Sequence, residues 1–252
     1  DQSLNKRLTF HLLRQLKRPG ALCANDAKSC YNRVVHSIAS ICMQRVGVPQ
    51  EPIVCMFTTI QNLEHRIRTA YGDSESTFSG QLWAVPIHGL GQGNGAGPQI
   101  WGVVSSPVIH MLQDEGYRAF FKAPISGTER SLVGYAFVDD TDLVTIPAQQ
   151  ATFQEIAQEM QDMVDTWEGG IRATSGAIVP EKSHWYLVDF NWQNDIWRYA
   201  TVDETPAELY IRDFTGQVKR MERLAVHEAQ RTLGVRLAPD GNSKLEIESP
   251  SW

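Results

Sequence analysis

The stretch GYAFVDDTDLV at residues 134–144 constrains the fold more than any other part of the chain. Two runs typical of β-strands are separated there by the adjacent acids Asp139 and Asp140. Because side chains alternate between the faces of a strand, both acids can point the same way only at the tip of a hairpin. We therefore expect two strands that meet at a carboxylate pair, with one acid binding a ligand more directly than the other.

Two neighbouring carboxylates are costly unless a proton or a cation lies between them. At an effective dielectric constant of about 20, two carboxylates about 4 Å apart repel each other by about 4 kcal/mol. Magnesium is the natural cation, because it prefers hard oxygen ligands and binds through one or two protein carboxylates. A second ion needs a further carboxylate, and Asp26, which ends the apolar run ALCAND at 21–26, is the best candidate. Taken alone, each aspartate is more often a cap or a turn residue.

Hydrophobic periodicity predicts both helices and strands along the rest of the chain. The first segment is expected to form a short basic helix that stops at Pro19-Gly20, with an apolar face of Leu4, Leu8, Leu12 or Leu13 and Leu16. Further helices are expected from Ser29 to Gly47, from Pro52 to Gly72, after the glycine run at 89–98 with a bend at Pro107, and across 148–170. Strands are expected at 21–26, 80–88 and 117–146, in hairpins with QND and TG turns, and as a last strand at 231–237.

The glycine run GLGQGNGAGP at 89–98 invites two interpretations that the chain does not support. A phosphate-binding P-loop needs a lysine after its glycines, and no lysine occurs between 80 and 121. Gly91, Gly93 and Ala96 fit a G-x-G-x-x-A dinucleotide fingerprint, with Asp114 at about the right distance. The repeated β-α-β units that surround such a fingerprint are missing. A flexible loop is the simplest alternative.

Composition narrows the class of protein. With 42% hydrophobic and 21% charged residues, the chain is expected to fold throughout. The sequence contains no apolar run of membrane-spanning length and no signal-peptide order at its start, so we expect an intracellular protein, nuclear or cytoplasmic and not secreted. The spacing of the four cysteines fits neither a metal site nor a redox motif, so we expect reduced thiols. The net charge of −6 argues mildly against wrapping nucleic acid, although residues 1–20 are basic.

Five segments resemble, in chain order, the palm motifs of reverse transcriptases, most closely those of non-LTR retroelements and related intron-encoded enzymes. NDAKSCYNRVVH resembles the first motif, GLGQGNGAGP the second, AFVDD the aromatic-x-Asp-Asp signature, PEKS the lysine-bearing fourth motif and RTLGV the Leu-Gly strand of the primer grip. The resemblance covers about residues 20–238. It implies an α+β polymerase palm, an antiparallel sheet backed by helices, with partial fingers and little or no thumb.

The resemblance also implies a reaction and its residues. Two Mg²⁺ ions, replaceable by Mn²⁺, would support the transfer of dNTPs onto a primer 3′-hydroxyl, with Asp26 and Asp139 as metal ligands and Asp140 as a supporting acid. Lys182 would neutralise or protonate the leaving pyrophosphate, unless it is simply an exposed lysine. Nucleotide contacts are implied at Ala27, Tyr31, Gln92, Gly93 and Phe137, and primer contacts at Leu233 and Gly234. The implied partners are dNTPs, a primed RNA or DNA template and further domains of the same polyprotein, with no membrane.

Two of these assignments have structural alternatives. The ring of Tyr31 would stack beneath the incoming sugar and exclude a 2′-hydroxyl, which favours deoxynucleotides, or it packs in the core of its own helix. Leu233 and Gly234 either support the primer strand or form a tight bend in a sheet.

The sequence departs from the family pattern at four residues, and it also lacks most of the flanking regions that the family has. The departures are Gly91 for a proline, Gly97 for a serine, Asn32 for an acid and Val179 for an asparagine, and none removes a metal ligand. We assign residues 1–20 to a basic helix at the fingers–palm junction, 21–238 to the palm with its primer-grip strands, and 239–252 to the start of the connection to a missing thumb. Because the basic flanks are largely missing, the expectation is a polyprotein fragment or a truncated descendant.

The alternative function is a catalytically silent, repurposed palm that serves as a structural or interaction module.

Overall fold

The computed structural model describes residues 2–77, 88–91, 93–123 and 125–244. Its helices are α1 (Gln2–Leu16), α2 (His36–Arg45), α3 (Gln50–Gln61), α4 (Gly97–Asp114) and α5 (Phe153–Ala173). Its strands are β1 (Gly20–Asp26), β2 (Arg68–Thr69), β3 (Gly72–Asp73), β4 (Ala119–Lys122), β5 (Glu129–Leu132), β6 (Gly134–Phe137), β7 (Asp140–Thr145), β8 (His184–Val188), β9 (Phe190–Gln193), β10 (Ile196–Tyr199), β11 (Tyr210–Arg212), β12 (Val218–Arg220), β13 (Glu222–Leu224), β14 (Gln230–Thr232) and β15 (Val235–Leu237). The strand expected at 80–88 lies, except for its last residue, outside the described residues.

A five-stranded sheet organises the chain, with the strand order β13-β8-β1-β7-β6. Strand β1 pairs antiparallel with both β7 and β8, and β6 pairs antiparallel with β7. Only β13, at one edge of this sheet, pairs parallel with its neighbour. The expected α+β class, with an antiparallel sheet and helices, is confirmed.

One face of this sheet packs on α1. Phe10 and Leu13 of the helix join Leu22, Val144 and Tyr186 of the strands in one buried apolar cluster. The predicted helix is present, but the apolar face predicted for it is wrong. Leu13 is buried, whereas four other leucines of the predicted face are exposed: Leu4, Leu8, Leu12 and Leu16. The buried side of α1 instead carries Gln2, Lys6 and Thr9 beside the apolar pair, because its first turns lie over polar strand residues.

The opposite face of the sheet is also buried. Cys23, Leu143 and Trp185 project from the three central strands on that side, and each is almost completely inaccessible to solvent. The sequence also predicts that α5 has an apolar face of Phe153, Ile156, Met160, Met163, Val164 and Trp167. In the structure Phe153 is half-buried and the other five residues are buried. Burial on both faces explains why β1 and β8 are continuously apolar over most of their length.

The chain divides into two compact units. The first contains Asp1–Lys28, Val108–Ile171 and Ala177–Trp252, and the second contains Ser29–Pro107 and Arg172–Gly176. The whole central sheet belongs to the first unit. Within the described residues, no helix is both long enough and apolar enough to cross a bilayer.

Several predicted boundaries are corrected. The helix expected from Ser29 begins at His36, because Ser29 adopts a left-handed conformation (φ 49°) and a short 3-10 helix, Cys30–Arg33, comes first. The helix expected from Pro52 to Gly72 begins at Gln50 and ends at Gln61, and the small β2–β3 hairpin replaces its second half. The expected last strand at 231–237 is a hairpin, since it turns back on itself between β14 and β15.

Candidate carboxylate site

Two acids face each other across neighbouring strands of the central sheet. Asp26 ends β1 and Asp140 begins β7, and the two residues are direct antiparallel partners. Directly opposite residues of an antiparallel pair project on the same face, with Cβ atoms about 4.5–5.5 Å apart. The strand register therefore brings together two carboxylates that are widely separated in the sequence.

The third acid, Asp139, lies in the turn between β6 and β7. Phe137 pairs with Asp140, so the turn has only two central residues, Val138 and Asp139. Val138 has φ 58° whereas Asp139 does not have a positive φ, the pattern of a type II′ hairpin turn. A β-branched residue is costly in the left-handed region, and such strain is concentrated at functional sites.

Burial and mutual repulsion change the acidity of the facing pair. The pKa of Asp26 is raised above its ordinary value of 3.8, first by burial and also by Asp139, while Lys182 opposes the rise. The pKa of Asp140 is raised by burial, then by Asp139 and Asp26. Each acid therefore carries its negative charge at a cost in this site, as expected for carboxylates that are partly removed from water and lie close to other acids.

The lysine predicted from the fourth motif lies beside the acids. Lys182 ends a 3-10 helix, Pro180–Lys182, and its Nζ lies 3.6 Å from Oδ2 of Asp26. Its side chain is 68% exposed, so the contact is a weak surface ion pair. The neighbouring Ser183 hydroxyl accepts a hydrogen bond from the Asp26 backbone amide at 3.3 Å. The segment thus fixes the end of β1 and leaves the lysine free to meet a ligand.

A polar cavity of about 170 Å³ adjoins the acids and includes residues that the sequence analysis missed. Its lining contains Asp26, Asp140 and Lys182 together with Lys6, Asp142, His184 and Arg231. One signal for Asp142 was available, because it follows Asp140 by two positions and so shares its face of β7. No comparable signal indicated Lys6, because it lies far from the motifs in the sequence, or His184, because it begins an apolar run.

The donor chemistry of the site fits a hard divalent cation. Asp26 and Asp140 provide facing carboxylates whose pKa values are raised first by burial and also by neighbouring carboxylates, and magnesium prefers such oxygen ligands. Within the described ranges, however, no group of three or more His, Cys, Asp and Glu side chains is arranged to hold a metal ion. The acids are gathered at one end of the sheet, but a three-residue ligand set is not formed there.

The residues assigned to the nucleotide divide between the two units. Ala27 follows Asp26 and is buried, and Phe137 is exposed at the end of β6; both belong to the first unit. In the second unit, the ring of Tyr31 packs on Gly97, where an added Cβ would lie 3.2 Å from the ring. Tyr31 is half-buried in the 3-10 helix Cys30–Arg33, and its contact with a sugar stays a prediction. Gly93 has φ 93°, whereas Gln92 lies outside the described residues.

The residues assigned to the primer grip form the turn of the β14–β15 hairpin. Leu233 and Gly234 both have positive φ, 47° and 89°, as a type I′ turn requires. The alternative of a tight bend therefore describes their backbone, and a contact with a primer stays a prediction.

No family model matches the chain, and no curated protein matches it in sequence. Solved structures similar to it include apo telomerase from Candida tropicalis truncated from the C-terminal domain, with a TM-score of 0.46 and 13% identity over 86% of this chain. Telomerases in complex with a TWJ fragment of telomeric RNA are also similar: that from Candida tropicalis at TM-score 0.47 and 14% identity over 85% of this chain, and that from Candida albicans at 0.49 and 11% over 86%. The chain spans 39%, 32% and 33% of the length of these three proteins. All three TM-scores are below 0.5.

Proposed function

We propose that this chain is the palm of an RNA-directed DNA polymerase of the retroelement type, which adds dNTPs to a primer on an RNA or DNA template. The observation that supports the proposal most is the facing pair Asp26 and Asp140, with Asp139 in the adjoining turn. Three acids from two motifs lie at one end of the sheet, where a phosphate and its cations would be bound. A lysine, Lys182, lies next to them.

In the proposed reaction, the primer 3′-oxygen forms a bond to the α-phosphorus of a dNTP while the bond to pyrophosphate breaks. Asp26 and Asp139 would hold two Mg²⁺ ions, which when bound lower the pKa of the 3′-hydroxyl and stabilise charge on the phosphorus. Asp140 would add negative charge that holds the cations in place. Lys182, exposed and close to Asp26, would neutralise or protonate the pyrophosphate as it leaves.

Primer extension tests this proposal directly. The purified chain, extended by native flanks where needed, should incorporate dNTPs on a primed RNA template with Mg²⁺, and Asp139→Asn should lower incorporation by about a thousandfold or more, the scale typical of removing a catalytic group. Asp203→Asn is the matched control, because Asp203 is exposed in a loop away from these motifs and should change nothing. Incorporation that is equal in the wild type and in Asp139→Asn would contradict the assignment.

One observation favours the alternative of a catalytically silent palm. The described residues contain no three-ligand group arranged for a metal ion, as a palm that has lost its chemistry would also show. A folded wild-type protein that extends no primer, yet assembles with itself or with another protein, would support this second function.

A further inference from the structure

A buried polar cluster connects three elements next to the candidate site. Lys6 of α1 donates hydrogen bonds from Nζ to Oδ1 of Asp142 at 2.8 Å and to Oγ1 of Thr232 at 3.1 Å. Gln2 donates from Nε2 to the other carboxylate oxygen of Asp142 at 2.8 Å. The lysine is 1% exposed and the aspartate 2%, so this ion pair is almost fully removed from water.

The position of the cluster relates it to both the acids and the β14–β15 hairpin. Asp142 follows Asp140 by two residues on the same face of β7, and both line the same cavity. Thr232 is the last residue of β14 and immediately precedes the turn at Leu233 and Gly234. Lys6 therefore joins the strand that carries the acids to the hairpin assigned to the primer.

Stability alone does not account for such a pair. A buried ion pair recovers its desolvation cost only with good geometry and further hydrogen bonds, and replacement by apolar residues of similar size is often neutral or stabilising. Asp142 has a partner for each oxygen, and Lys6 has two acceptors. The Oε1 atom of Gln2 has no hydrogen-bond partner among the described residues, so the bonds of Lys6 and Asp142 are what restrict the arrangement of the elements that they join.

We propose that Lys6 and Asp142 are positioning residues that hold the β14–β15 hairpin at a fixed place relative to Asp140. Given the proposed function, on which this inference rests, the hairpin would place the 3′ end of a primer strand. The ion pair then sets the distance between that end and the carboxylates. It acts through the hairpin and through β7, and touches neither nucleotide nor primer.

The first test separates positioning from stability. Lys6→Met and Asp142→Leu should each lower the melting temperature, because each leaves an unpaired buried charge. The double variant should recover part of the loss, since only the bonds of Gln2 and Thr232 are then missing. In the double variant, kcat for primer extension should nevertheless fall by about tenfold or more while the KM for dNTP changes less than about twofold, since only alignment of the primer end is lost. The control is Lys122→Met with Glu129→Leu, which removes an exposed ion pair across β4 and β5. Wild-type kcat in the refolded double variant would overturn the proposal.

The second test does not depend on catalysis. Amide hydrogen exchange in residues 230–237 should be about tenfold faster in the double variant than in the wild type, whereas exchange in the β9–β10 hairpin should not change. Unchanged exchange in residues 230–237 would overturn the holding role. Faster exchange in a protein whose wild type extends no primer would show that the proposed function had failed and that the holding role had not.

Discussion

At the scale of single residues, one face of the central sheet changes from apolar to charged within a few positions. Val144, Leu22 and Tyr186 belong to the apolar cluster beneath α1. Two residues nearer the strand ends, Asp142, Ala24 and His184 occupy neighbouring positions in the same register, and Asp140 and Asp26 follow. Burial beside this core raises the pKa values of Asp26 and Asp140 and lowers the pKa of His184.

His184 should make the stability of the protein depend on pH. Burial, and then the charge of Lys6, lowers its pKa from 6.5 to about 4. The unfolded chain binds a proton between these values and the folded chain does not, so stability is lost as pH falls through this window, by roughly 3 kcal/mol in total. His184→Gln should remove this part of the pH dependence in urea unfolding measured from pH 7 to pH 4.

The control for His184 is His227→Gln, which replaces an exposed histidine. The pKa values of Asp26 and Asp140 are raised in the folded protein, so these two acids make the protein more stable as the pH falls. Both acids are present in the wild type and in each variant, so their effect cancels when the pH slopes are compared. Equal pH slopes for the wild type and His184→Gln would show that this histidine is protonated alike in both states.

Tyr31 should control the choice of sugar if the proposed function is correct. Tyr31→Ala or Tyr31→Val should increase the use of ribonucleotides relative to dNTPs by about tenfold or more, because a ring that excludes a 2′-hydroxyl has been removed. Single-nucleotide incorporation with each triphosphate measures the ratio. Tyr71→Ala, at a fully exposed tyrosine of the same unit, should leave it unchanged. Unaltered discrimination in both Tyr31 variants would mean that the ring only packs on Gly97.

At the scale of elements, the β6–β7 hairpin contains a glycine that lets its two strands approach closely. An added Cβ at Gly134 would overlap the carbonyl oxygen of Asp142 on the neighbouring strand. Gly134→Ala should therefore lower the free energy of unfolding by about 3 kcal/mol, because the two strands must separate locally. Denaturant unfolding measures this loss.

The matched substitution is Gly102→Ala in α4. A Cβ at Gly102 would meet no atom within 4 Å, and alanine is the better helix former by about 1 kcal/mol, so this variant should be slightly more stable than the wild type. If Gly134→Ala unfolded at the same denaturant concentration as Gly102→Ala, the close approach of β6 to β7 would be wrong.

Local patterns predicted some elements and failed for others for physical reasons. The β6–β7 hairpin and the buried face of α5 depend on neighbouring residues, and both were predicted. The buried side of α1 was not, because its leucines repeat at helical spacing while its lysine and glutamine are buried by Asp142, which lies in a distant strand. The β14–β15 hairpin was predicted as one strand, with a tight bend at Leu233 and Gly234 only as an alternative, because Leu233 is an unusual residue for a left-handed turn.

The candidate site was predictable only in part. The acid pair at 139–140 was visible as a sequence motif, and Asp26 was assigned by its position after an apolar run and by the resemblance to palm motifs. That Asp26 faces Asp140 rather than Asp139 follows from strand register, which a single sequence does not contain. Lys6 and Asp142 were missed because their pairing depends on how a helix packs on the sheet.

At the scale of the whole molecule, the sheet brings residues from four distant segments to one end of the first unit. β1 supplies Asp26, the β6–β7 hairpin supplies Asp139 and Asp140, the segment before β8 supplies Lys182, and α1 supplies Lys6. Such convergence at the ends of strands is how a single fold places charges that local structure could not hold together. The central claim is that these acids share divalent ions.

Crystals soaked in Mn²⁺ and measured for anomalous scattering test this claim most directly. We predict an anomalous peak between the carboxylates of Asp26 and Asp139, within reach of Asp140, and a clear loss of that peak in Asp139→Asn. A soaked wild-type crystal with no peak at these acids, and with their oxygens directed apart, would contradict the claim.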